Sequence, residues 1–218
     1  MIGEAPPAPR VWWLRPWAIM VWLLLALPAI GLFALAVIGS WRPFYVPSES
    51  MTPALAKGDR FIAGMNGAEG LKRGDVVVFE TSAGHIYVQR VAGLPGDRIE
   101  IMNGQVYLNE RPVAQRQVGV DRIEPVMGAK EARRLSEQFP GEAKPHLIWD
   151  LMYTAQDDFP ETVVKPGHVF VLGDNRDQSA DSRVSADQMG VEQVPIARIR
   201  GKALFHGFFS SRRIGTRI

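Results

Sequence analysis

Between Arg15 and Arg42 the chain runs for 26 residues, Pro16 to Trp41, without one ionisable side chain, and 21 of them are hydrophobic. As a helix rising about 1.5 Å per residue this run is ~39 Å long, enough to cross a hydrocarbon core of roughly 30 Å with some tilt. Trp12, Trp13 and Trp17 mark one end and Trp41 the other, where amphipathic indole rings prefer the headgroup layer. Pro28 predicts a kink of the kind that membrane helices tolerate. A buried core helix rarely runs so far uncharged, and the apolar stretch of a cleaved signal peptide is shorter, at ~7–15 residues. The expectation is one retained transmembrane anchor over 16–41, behind a short tail at 1–15. Charge does not orient it, because Arg10 and Arg15 before the run stand against Arg42, Lys57 and Arg60 after it.

Composition narrows the remainder. A net charge of +2 over 218 residues offers no excess of cations to neutralise a row of phosphates, so no nucleic-acid partner is expected. With no cysteine there is no disulfide framework, thiolate nucleophile or thiolate-ligated metal. No phosphate-binding glycine loop or paired histidine at ligand spacing appears, and no cofactor or metal is expected. His85, His146, His168 and His206 are scattered, as surface or strand residues.

After the apolar run, short β-branched stretches separated by turn residues predict strands at 61–63, 76–79, 86–91, 169–172 and 197–205. Ile99 and Ile101 on one side of Asn103-Gly104, with Val106 and Leu108 on the other, predict a hairpin, since both turn residues accept positive φ. Gly-Asp occurs at 58–59, 74–75, 96–97 and 173–174, and turn chemistry accounts for most of these pairs. Residues 114–164 differ in composition. Ala132, Leu135 and Phe139 at three- and four-residue spacing predict a short helix over 129–139 within an insertion on the β scaffold. The expected organisation is a β domain at 42–113 and 165–207, interrupted by a cap region at 114–164 and followed by a basic tail at 208–218.

Two segments carry chemistry. Pro47-Ser48-Glu49-Ser50-Met51-Thr52-Pro53 begins shortly after the apolar run, and ten extended residues from Ser40 reach at most ~35 Å. Ser50 is therefore expected near a membrane surface. A serine attacks a carbonyl only if a base takes its proton and donors meet the developing negative charge; otherwise these serines satisfy a proline-bounded loop. The second segment, Gly173 to Arg183, packs two arginines among three aspartates. It lacks the turn glycine and terminal glutamate of a calcium loop, and a rigid Arg–Asp network fits it better.

The blocks Pro47–Pro53, Arg73-Gly-Asp-Val-Val-Val-Phe79, Arg90-Val-Ala-Gly-Leu-Pro-Gly-Asp97 and Gly173-Asp-Asn-Arg-Asp-Gln-Ser-Ala-Asp-Ser-Arg183 resemble those of bacterial type I signal peptidases, the leader peptidases. The resemblance implies a mainly β, signal-peptidase-like antiparallel fold with an inserted cap, preceded by one transmembrane helix. It implies a single-pass protein of the cytoplasmic (inner) membrane whose catalytic domain faces the exported side. Its partners would be the bilayer and the signal peptides of preproteins, cut after small residues; no oligomeric state is implied. By position, Ser50 is the nucleophile, Ser48 assists the oxyanion hole, Ser179 orients the base, and Asp181 with Arg183 braces the loop.

One departure bears on mechanism. The family carries its general-base lysine immediately before the arginine of the third block, where this chain has Gln89. A carboxamide oxygen accepts a hydrogen bond but is far too weakly basic to take a serine proton. His85, Lys57 or Lys202 remain as substitute bases, and Arg90 is excluded because it stays protonated. Glu49 replaces a glycine usual in the family and sets a negative charge between the two serines. A working peptidase and a peptide-binding pseudoprotease both follow from these residues.

Overall fold

The computed structural model describes residues 16–207 and Ile218, without the side chains at 16, 19, 32–38 and 126. The expected tail at 1–15, with Trp12 and Trp13, and the basic tail except Ile218 lie outside the described residues. The chain divides into two units after Ser40.

The first unit contains helix α1, Pro16–Gly39, with Pro28 inside it. Among the described residues no helix is long and apolar enough to cross a membrane. The fold therefore does not establish the anchor expected over 16–41. Its far boundary also moves: Trp41 opens a strand, pairs with Gly64 and lies 6.0 Å from the Phe205 ring.

The second unit is mainly β, and among the described residues all of its strand pairings are antiparallel apart from one isolated bridge. Strands β1 (Trp41–Tyr45), β2 (Arg60–Gly64), β3 (Val76–Glu80) and β4 (Ile86–Gly93) join β12 (His168–Leu172), β13 (Val194–Pro195) and β14 (Ile199–His206) in one sheet, ordered β1-β2-β14-β3-β4-β12-β13. Its centre is covered on both faces. Val76 and Val78 of β3 pack with Met51, Leu55 and Phe61, whereas Val77 and Phe79 pack with Val169, Val171 and Ile199. This two-residue alternation is what a pleated strand requires, and it explains the unbroken apolar run of β3.

A second sheet contains β5 (Arg98–Met102), β6 (Gln105–Leu108), β7 (Arg111–Pro112) and β11 (Phe159–Val163). The Asn103-Gly104 turn connects β5 to β6 with φ of 50° and 75°, both positive as a tight hairpin needs. β11 pairs with β5, so the end of the expected cap region belongs to this sheet.

The rest of that region forms a third sheet from β8 (Ala114–Val126), β9 (Ala129–Gln138) and β10 (His146–Asp150). The helix expected over 129–139 is replaced by β9. Leu135 and Glu137 along it, and Phe139 just past its end, are buried at every second residue, but Glu137 is charged. A count of apolar residues skips Glu137 and leaves Ala132, Leu135 and Phe139 at a spacing that mimics a helix. The buried carboxylate concealed the period.

Candidate active site

Ser50 stands at the head of a turn fixed from below by apolar burial. Met51 and Leu55 are fully enclosed beneath the first sheet, and the Leu55 amide donates to the Met51 carbonyl at 2.8 Å. Each such side chain contributes roughly 1.5–3 kcal/mol by leaving water. Ser50 remains half-buried and Ser48 exposed, with their hydroxyl oxygens 3.1 Å apart. The intervening Glu49 carboxylate accepts a 2.7 Å hydrogen bond from the Thr52 hydroxyl, which ties it to the turn.

The loop after β12 approaches from the other side. Asn175 N–H donates to the Ser50 carbonyl at 3.0 Å. At Gly173 an added Cβ would sit 2.2 Å from Ser179 Oγ and 2.6 Å from the Ser50 carbonyl oxygen. Glycine here permits close approach, not a turn: Gly58, Gly74 and Gly96 have positive φ, and Gly173 does not. Of the four Gly-Asp pairs, this one departs from the turn explanation.

Gln89 reaches the same loop from β4. It is 2% exposed, and its Nε2 donates to the Ala180 carbonyl at 2.9 Å and to Ser179 Oγ at 3.3 Å. Its Oε1 is buried without a partner among the described residues. The geometry thus brings Ser48 to Ser50, Gln89 to Ser179, and Ser179 to the backbone beside Ser50. The candidate substitutes for a base have the following surroundings. His85 is exposed in the β3–β4 turn, outside the strand, because β4 begins at Ile86. Lys57 is exposed, and the Lys202 amine donates to the Gly70 carbonyl at 2.8 Å and pairs with Asp75 at 2.9 Å.

Asp181 and Arg183 pair in two parallel bonds of 2.9 and 2.8 Å, and Asp181 also accepts from the Gly173 amide at 3.0 Å. Burial opposes the Arg183 charge, but Asp181 outweighs it and holds the guanidinium pKa above its ordinary value. Arg90 forms a second bidentate pair, with Asp174, at 2.8 and 2.7 Å, and donates to the Gly74 carbonyl. Planar, doubly bonded pairs of this kind fix orientation as well as charge.

Sequence reasoning missed the contribution of the third sheet. Glu137, with no exposed surface, binds Arg176 of the loop, and His146 sits between Glu137 and Glu142 at 3.2 and 2.9 Å. Burial pushes the Glu137 carboxyl up, but Arg176 and His146 together draw it down to about 2. Both His146 ring nitrogens face carboxylates, an arrangement that favours the doubly protonated imidazolium, in which both nitrogens donate. Burial and then Arg90 oppose that charge, while Glu137, Glu142 and Asp174 overcome them and raise its pKa above 6.5. Phe139 stacks on the same ring at 5.3 Å.

A raised histidine pKa contributes stability that is complete below the unfolded value, near 6.5, and is lost as pH rises through the folded value. Thermal melts between pH 5.5 and 8.5 should show the wild type losing more stability on alkalinisation than His146→Gln. Equal slopes would contradict the assignment of a buried imidazolium.

Residues 19–208 match the family model described as signal peptidase, peptidase S26. Signal peptidase I of Bacillus amyloliquefaciens is 31% identical over 168 residues, covering 76% of this chain and 78% of that protein. Signal peptidase IB of Staphylococcus aureus is 31% identical over 159 residues, covering 71% of this chain and 75% of its own. A crystal structure of a signal peptidase I from Enterococcus faecalis is similar over 62% of this chain and 97% of its own, at 22% identity and a TM-score of 0.36.

Proposed function

This chain belongs to the signal peptidase family, peptidase S26, and from that premise we propose that it removes signal peptides from exported preproteins with Ser50 as nucleophile. The observation that carries the reading is the convergence at Ser50 of the Ser48 hydroxyl and the Gly173–Asn175 backbone, with Ser179 close behind. In this reading Ser50 Oγ attacks the scissile carbonyl, and the Ser50 N–H and Ser48 hydroxyl face the developing oxyanion. As that adduct collapses the C–N bond breaks, the proton lost by Ser50 ends on the departing nitrogen to give the mature protein's amine, and an ester is left on Ser50. Water then hydrolyses the ester to the signal peptide's carboxylate and restores the Ser50 hydroxyl. The uncharged run at 16–41 supports a single membrane anchor, and membership of the family supports placing it in the cytoplasmic membrane with the unit from Trp41 onward on the exported side. A signal sequence ends its own apolar segment near the membrane surface, so anchored enzyme and scissile bond meet at similar depth.

Gln89 favours a second reading. A buried carboxamide bonded to Ser179 stands where the family's base is expected, and it cannot take the Ser50 proton. A chain built this way could bind signal peptides without cutting them efficiently. Incubation of the full chain in detergent with a peptide spanning a signal-sequence cleavage site separates the two. The peptidase reading predicts a new amino terminus after a small residue. The binding reading predicts saturable association and intact peptide.

A further inference from the structure

We infer that Glu137, on the β9 strand of the third sheet, is a positioning residue for the Ser50 site, acting through Arg176. The inference rests on reading Ser50 as the nucleophile. Glu137 and Arg176 lie 39 residues apart and in different sheets' territory, yet they form a direct and fully buried ion pair. Arg176 then holds the loop at two points. Its Nε donates to the Gly173 carbonyl at 3.1 Å, and its own carbonyl accepts from Arg183 at 2.5 Å. Gly173 is the residue against which both Ser179 and the Ser50 carbonyl are pressed. The path from Glu137 to the site therefore crosses one ion pair and one backbone hydrogen bond.

Neighbouring bonds in the same sheet act in the same direction. The Trp149 amide of β10 donates to the Asp174 carbonyl at 2.8 Å, and the Leu151 amide donates to Asp177 at 2.6 Å. The third sheet is thus the wall on which residues 173–177 rest. Where that sheet meets the loop and β4, Arg90, His146, Arg176 and Arg183 face Glu137, Glu142, Asp174 and Asp181 in ion pairs. Removing the Glu137 charge leaves Arg176 buried and uncompensated, which drives its guanidinium, and the Gly173 carbonyl with it, toward another partner. Near-attack geometry tolerates little of this, since a displacement of about 1 Å costs on the order of 10²-fold in rate.

The experiment compares wild type, Glu137→Gln, Arg176→Gln and the double variant as full chains in detergent. Exposed Arg98→Gln, which breaks only the surface pair with Glu161, serves as control. Two quantities are read below the melting temperature of each variant: kcat and KM for a signal-region peptide, and hydrogen exchange at the Asn175 amide. Glu137→Gln is expected to lower kcat at least tenfold with KM within twofold, and to speed Asn175 exchange at least tenfold. The double variant should be no worse than the poorer single. If Glu137→Gln leaves both kcat and Asn175 exchange within twofold of the control, or if exchange rises equally throughout the second unit, the inference is wrong. Should the wild type bind but not cleave, the peptidase reading fails, and the exchange comparison alone decides the positioning role.

Discussion

Replacing Gln89 by lysine raises the rate of preprotein cleavage by a factor on the order of 10²–10⁴, the usual contribution of a positioned general base. The site is already shaped for the exchange. Position 89 is enclosed, and two oxygen acceptors, Ala180 O and Ser179 Oγ, lie at 2.9 and 3.3 Å from the terminal nitrogen of the present side chain. A lysine amine there could donate to the same oxygens while keeping its lone pair for the Ser50 proton. Burial disfavours the ammonium form, lowering a lysine pKa by up to ~3–5 units at fully enclosed positions. Activity of Gln89→Lys should therefore rise with pH through that lowered value, and Ser50→Ala in the same background should abolish it. A rate within threefold of wild type at every pH would mean that position 89 is not where the reaction takes its base.

Gly173→Ala is expected to reduce cleavage at least 10²-fold and to destabilise the second unit by about 1–3 kcal/mol, the usual cost of overpacking a filled interior. The new methyl would fall 2.2 Å from Ser179 Oγ, 2.4 Å from Ser179 Cβ and 2.6 Å from the Ser50 carbonyl oxygen. Rotation of Ser179 could carry its Oγ away, but Ser179 Cβ and the Ser50 carbonyl oxygen are fixed to the backbone, so the loop or the Ser50 turn must move. Cleavage kinetics alongside chemical denaturation check both halves. Gly58→Ala supplies the contrast, because that position has positive φ and open space around its Cβ. It should lose stability through backbone strain with cleavage kinetics unchanged. Wild-type kinetics from Gly173→Ala would mean that the approach of Ser179 to Ser50 does not matter to the reaction.

Much of the scaffold was legible because its signals are local. Alternating residues on either side of Asn103-Gly104 marked the β5–β6 hairpin, and the apolar run at 76–79 marked a strand covered on both faces. The pairing of Asp181 with Arg183 spans two residues, and its chemistry lay in one continuous block. The partners of Arg90 and Arg176 could not be read in this way. Asp174 lies 84 residues from Arg90, and Glu137 lies in a segment whose composition suggested an insertion on the β scaffold. That same buried glutamate stands where the β9 alternation would carry an apolar residue, so the sequence of a strand read as a helix. Gly173 shared a dipeptide with three turn glycines, and only the distances to Ser50 and Ser179 distinguish it.

The central claim is that Ser50 is the nucleophile of a signal-peptide-removing peptidase, and one comparison bears on it most directly. Purified wild type and Ser50→Ala, both as full chains in detergent, are given the same preprotein, and release of the mature protein is followed with time. The proposed role of Ser50 predicts cleavage by the wild type and a loss on the order of 10³-fold or more in Ser50→Ala, the scale on which removal of a nucleophile acts. Equal product from both chains, or none from either, would contradict it.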